Sequence, residues 1–310
     1  MGIPVWMDVD TGIDDAIALM VLHALPELDV VALSAVCGNS PLSCSYRNTR
    51  SMNTILGTRY PVYAGAEKPL LREARHASAV QGENGLGDVE VELPADEVLC
   101  EEPMWDALYA EAVQQKGQLR LIATGPLTNV AIALTKYPDL KDHLHTILIM
   151  GGATQGGNTT PSAEFNIYAD PEAASIVFKA GVPIVMCPLD VTERILLTPD
   201  EWKATAANGA KTGQFLCDIL EKPWSFHKPY GRAGVQMHDS VPVIYLAHPE
   251  LFDTEEAGVV VETKGTVTLG KTVTDLYSDK QFDFKNATVV LDADIDAVKR
   301  IILNSIGQAS

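Results

Sequence analysis

At 310 residues the chain is long enough to bury a sizeable core, as one large α/β domain or two small ones. Its 41 acidic residues outnumber 23 basic ones, giving a formal charge of -18 that opposes binding to nucleic acid or an anionic membrane surface. No apolar run reaches the roughly 18 residues of a membrane span, and Asp8 and Asp10 interrupt the N-terminus too early for a signal peptide. Cys37, Cys44, Cys100, Cys187 and Cys217 are odd in number and contain no C-x-x-C pair. They read as small thiols in a reducing cytoplasm, with neither a disulfide framework nor a structural zinc.

The first element is a buried strand (Ile3, Val5, Trp6, Met7) running into Asp8-Val9-Asp10-Thr11-Gly12-Ile13-Asp14-Asp15. A helix from Asp14 to Leu25 follows, closed by Pro26. Four carboxylates in one turn repel each other unless a cation or shared protons hold them. Helix capping accounts for Asp14 or Asp15 and leaves Asp8 and Asp10, which alternate on the strand side, unexplained. With no His or Cys nearby, the pattern favours an oxygen-ligated cation, calcium or magnesium, over zinc.

Val30 to Val36 is the next strand, ending at Cys37-Gly38-Asn39, and Ser43 to Leu56 is a helix with Gly57 at its end. Arg72 to Asp88 is polar, rich in Gly and without period, the mark of a functional or disordered loop. Then come a helix (Pro103 to Lys116), a strand (Leu119 to Ala123) entering Thr124-Gly125-Pro126, and a helix (Leu127 to Lys136). A strand (Thr146 to Met150), a helix (Pro171 to Ala180) and a strand (Val182 to Met186) follow. Lys222 to Gln236 reads as a second irregular segment, carrying Trp224, Phe226 and Tyr230, before a helix seeded by His238-Asp239. A β-hairpin around Gly258 to Thr274, a strand near Thr288 to Leu291 and a helix from Ile295 to Leu303 close the chain.

No linker splits this series, so the expectation is a single domain over residues 1–310. Its fold class is α/β, with a largely parallel, doubly wound central sheet and a small C-terminal β-hairpin region. Ligands of such sheets sit at the carboxyl ends of the strands. Asp8 and Asp10, Asn39, Thr124, Met150-Gly151-Gly152 and Asp190 all fall there. One such coincidence means little; five favour a shared site.

Asp8 to Ala16, Ala123 to Asn129, Met150-Gly151-Gly152, Glu164-Phe165-Asn166 and His238-Asp239, in this order, closely resemble the inosine-uridine-preferring nucleoside hydrolase family. The resemblance covers essentially the whole chain. It implies hydrolysis of the N-glycosidic bond of a small-molecule ribonucleoside to ribose and free base, in nucleoside salvage, by a cytoplasmic homodimer or homotetramer. By position, Asp10, Asp15 and Asp239 are its Ca2+ ligands, with the backbone carbonyl of Thr124. Asp10 takes the proton of the attacking water and His238 is the general acid that protonates the leaving base. Asp14, Asn39, Asn158, Glu164 and Asn166 match positions that hold the sugar, and Met150 packs near the ribose. Asp8 is expected to orient a ligand residue.

Many relatives carry His where this chain has Gln81, in a loop that folds over the base, so base preference does not carry across at that position. Phe226 and Tyr230 are candidates for the base side of the pocket. Keeping His238 resembles the nonspecific and pyrimidine-preferring members.

Two other readings compete. A strand ending in Asp-x-Asp suits a magnesium-dependent phosphatase of haloacid dehalogenase type, but Gly12 stands where that family wants Thr or Val and no Gly-rich phosphate loop is present. A calcium-dependent sugar-binding protein without catalysis would use the same carboxylates, yet has no need for both Asp10 and His238.

Overall fold

In the computed structural model, residues 2–95, 97, 99–207, 211–277 and 279–308 are described. Eleven strands are found among them: β1 (Ile3–Val9), β2 (Leu28–Ala35), β3 (Val62–Ala64), β4 (Leu119–Ala123), β5 (Leu144–Met150) and β6 (Ile184–Cys187), then β7 (Leu196–Leu197), β8 (Val235–Gln236), β9 (Phe252–Val261), β10 (Thr272–Asp275) and β11 (Ala287–Ala293). Nine of them form one sheet in the order β10-β9-β11-β6-β5-β4-β1-β2-β3, while β7 and β8 pair separately. From β3 to β11 neighbours run parallel, and β9 pairs antiparallel with both β11 and β10.

A parallel strand covered on both faces has no polar side to show, which is why β1 and β5 read as near-continuous apolar runs. One face packs under the helices Ile13–Ala24, Lys211–His227, Ser240–Ala247 and Ile295–Gln308. Met104–Gln114, Thr128–Lys136 and Pro171–Phe178 cover the other. Helix Ile13–Ala24 is buried from Asp15 to Leu22, because it lies between the sheet and two further helices.

The expected α/β class and largely parallel sheet are thus observed. The expected C-terminal hairpin is formed by β9 and β10, and because β9 also pairs with β11 it extends the central sheet. Three details differ. Lys222 to Gln236 is not irregular throughout, since helix Lys211–His227 runs into it and a 3-10 turn spans Lys228–Tyr230. Pro223 inside that helix costs about 3 kcal/mol. Phe215, Leu216, Ile219 and Leu220 are buried on the same stripe, each contributing about 1.5–3 kcal/mol, so packing outweighs the breaker. The Gly-rich segment Arg72 to Asp88 contains one helical turn, Ser78–Gln81. Helix Pro199–Ala206 was unforeseen, although Thr198 and Glu201 form the capping box that announces it.

Candidate active site

Strand order decides what meets at the carboxyl edge. Because β1 lies between β2 and β4, the turns after these strands bring Asp10, Asn39 and Thr124 together. There a cleft of about 540 Å³ opens, lined by Asp14, Asn39, Gln81, Thr124, Met150, Asn158, Glu164, Asn166, Phe226, His238 and Asp239, among others.

Asp14, Glu164 and Asp239 line it, and Asp10 and Asp15 are buried in contact with this group. Asp10, fully buried, accepts from the backbone N–H of Asn39 (2.6 Å) and from Asn39 Nδ2 (3.3 Å). Gly38 is required here, since a Cβ at that position would stand 2.0 Å from Asp10 Oδ2. Asp15 caps its own helix by accepting from Gly12 N (2.9 Å), while its other oxygen accepts from Thr124 Oγ1 (2.6 Å). Asp239 occupies the N-cap position of helix Ser240–Ala247, yet its side chain makes no capping hydrogen bond and reaches Asp14 instead. Capping therefore explains one oxygen of Asp15 and nothing of Asp239.

Asp14, Asp15 and Asp239 each offer an oxygen within 4.8 Å of the others. This triplet differs from the expected one, because Asp10 lies in contact with Asp15 rather than in the triplet itself. Burial, then mutual repulsion, pushes Asp10 and Asp239 well above the usual carboxylate range and Asp15 up to about 6. An all-oxygen donor set whose charges oppose one another fits a hard cation. The Thr124 carbonyl accepts from Asn166 Nδ2 (2.7 Å), as does that of Met150 (3.1 Å).

Glu164, which also lines the cleft, is the N-cap of the short helix Phe165–Ala169. Its carboxylate accepts from Asn166 N (2.8 Å), Ile167 N (3.1 Å) and Gly152 N (3.0 Å). Burial nevertheless raises it to about 7. Asn158 Oδ1 accepts from Phe165 N (2.9 Å). His238 lines the cleft as well; its Nδ1 lies 2.8 Å from Thr192 Oγ1, and burial lowers its pKa while the Asp14 and Glu193 carboxylates oppose that shift.

Tyr230 does not join them. It is 76% exposed, lies outside the cleft lining and touches Phe226 at 5.8 Å between ring centroids, because the 3-10 turn carries it outward. Nor does the Asp8 carboxylate touch a candidate ligand: it accepts from Ser34 Oγ and Asn129 Nδ2, tying β1 to β2 and to helix Thr128–Lys136. His76, Glu193, His227 and Arg232 line the cleft and were missed, since lone polar residues in aperiodic stretches carry no signal of where they point.

A cleft that gathers carboxylates, amides and one imidazole can hold a hydroxylated ligand and move protons at it. The model of the inosine-uridine preferring nucleoside hydrolase family matches residues 5–300, and the chain belongs to that family, whose enzymes cleave the N-glycosidic bond of ribonucleosides. It is 40% identical over 298 residues, 95% of each chain, to the pyrimidine-specific ribonucleoside hydrolase RihA of Escherichia coli O9:H4 (strain HS). The structure of a purine-preferring ribonucleoside hydrolase from Gardnerella vaginalis superposes with a TM-score of 0.92 at 29% identity, covering 99% of this chain and 98% of that one. A plant nucleoside hydrolase, PpNRh1, gives 0.93 at 28% identity, covering 99% of this chain and 100% of the other.

Proposed function

We propose that this ribonucleoside hydrolase is calcium-dependent, prefers pyrimidine nucleosides and serves nucleoside salvage in the cytoplasm as a homodimer or homotetramer. The observation that carries the chemistry is the meeting of Asp14 and Asp15 with Asp239, from opposite ends of the chain, in the cleft that His238 also lines. The base preference is supported by the 40% identity to RihA. Among the described residues no helix is long and apolar enough to cross a membrane.

In this reading Asp10, Asp15, Asp239 and the Thr124 carbonyl hold calcium, with Asp14 beside them. Bound there, the ion would grip ribose hydroxyls and lower the pKa of water. Asp10, held by both nitrogens of Asn39, accepts the proton of the attacking water. As the bond breaks, positive charge grows on the ribosyl ring, and the Asp14 and Glu164 carboxylates face it. Asn39, Asn158 and Asn166 orient the sugar hydroxyls, with Met150 against the ring. His238 delivers a proton to the departing base; Thr192 fixes its Nδ1, so Nε2 is the nitrogen left to act. Phe226 stands on the base side.

Release of reducing sugar from uridine, cytidine and inosine, with and without chelation, tests the reading. Uridine and cytidine are expected to be cut faster than inosine, and chelation to stop all three. Equal rates on all three would refute the base preference, and undiminished hydrolysis after chelation the calcium dependence.

A further inference from the structure

Gln81 is buried to 9% exposure in the single helical turn of the Gly-rich loop, and both ends of its amide are used. Its Oε1 accepts from Ile13 N at 2.8 Å, the first free N–H of helix Ile13–Ala24. Its Nε2 donates to Asp14 Oδ1 at 3.3 Å. The turn is itself pinned, with Ala77 N donating to Asn39 O at 2.9 Å and Gly87 N to Gln81 O at 2.7 Å. Gly12 leaves room for this approach: a Cβ there would meet Gln81 Oε1 at 2.8 Å. A side chain held at both amide atoms has its orientation set by the protein, with one N–H of Nε2 and one lone pair of Oε1 left over. Asp14, in turn, stands between Gln81 and Asp239.

We infer that Gln81 is a positioning residue, not a base contact: it ties the loop over the cleft to the Asp14 carboxylate and so sets the sugar side of the site. This rests on the reading of Asp14 as a ribose contact. Losing the donor frees Asp14 to rotate away from the ribose, and the loop loses its anchor on the helix start. Loop position and sugar grip are therefore one device, which ordinary contacts to the base would not produce.

The test uses the calcium-loaded enzyme and its two products, ribose and uracil, as competitive inhibitors. Gln81→Leu removes both hydrogen bonds. Gln81→Glu keeps the acceptor for Ile13 N but replaces the donor with a charge that repels Asp14, so the fold is retained while the device is broken. Both variants should raise the inhibition constant for ribose about tenfold, the loss expected for one hydrogen bond to a charged group. The constant for uracil should stay within about twofold, and Gln81→Glu should melt with the parent. A raised constant for uracil with ribose unchanged would make Gln81 a base contact and overturn the inference. So would parallel weakening of both products accompanied by lower melting temperatures in both variants. Asp14→Ala separates the two layers of the argument. If it leaves ribose binding unchanged, the reading of Asp14 fails and the inference with it. If it weakens ribose while both Gln81 variants do not, the inference alone fails.

Discussion

His238 Nδ1 and Thr192 Oγ1 lie 2.8 Å apart although 46 positions separate the residues, and this contact sets which imidazole nitrogen is left free at the cleft that His238 lines. General-acid help contributes on the order of 10²- to 10⁴-fold and matters only when the departing base is a poor anion. His238→Ala is therefore expected to lose that much turnover on uridine and almost none on a riboside with an activated phenol leaving group. Thr192→Val should lose about tenfold on uridine alone. Parallel losses on both substrates would show that His238 shapes the pocket instead.

Asp10→Asn keeps an oxygen beside Asn39 but cannot take a proton. Turnover should fall on the order of 10²- to 10⁴-fold, while binding of a nucleoside, measured at equilibrium, survives better than in Asp15→Ala. Retention of parental activity by Asp10→Asn would remove Asp10 from the role of base.

Gly38→Ala places a methyl group 2.0 Å from Asp10 Oδ2, so either the carboxylate or the Asn39 backbone must move. A displacement near 1 Å costs about 10²-fold in rate. Activity is expected to fall by that order, while circular dichroism reports an unchanged fold. Full activity would show that the turn after β2 yields without disturbing Asp10.

Stability should depend on pH and calcium together. Asp15 is raised to about 6, and Asp10 and Asp239 well above the ordinary value, so each prefers to be protonated in the folded state. The unfolded chain ionises near about 4. As pH rises from there through 6 and beyond, the unfolded state binds fewer protons than the folded one, and the calcium-free protein loses stability. A bound cation removes the repulsion, so the rise in melting temperature on adding calcium should be small near about pH 5 and larger by about pH 7.5. A rise of equal size at both would show that these carboxylates are not the ion's ligands.

Much of this protein is written in neighbouring residues. The strand and helix periods on either side of the Asp8 to Asp15 run put four carboxylates in the turn between them; the structure keeps them at that junction but only Asp10 in the turn itself, with Asp8 in β1 and Asp14 and Asp15 in the first turn of the helix. His238-Asp239, Glu164 and Asn166 were likewise legible, by their resemblance to a family motif, and all line one cleft. What the chain order could not decide is which of these side chains touch. That β1 lies between β2 and β4 follows from sheet order, and only this brings Asn39 to Asp10 and Thr124 to Asp15. Asp14, not Asp10, completes the closest carboxylate triplet because the direction of each side chain in the turn depends on backbone geometry that composition does not encode. The long-range contacts of helix Lys211–His227 overrode the local signal of Pro223, and the turn that follows sent Tyr230 out to solvent. Periodicity and capping are local and can be read along the chain. Packing partners are non-local, and in this site they decide which carboxylate, amide and imidazole groups meet.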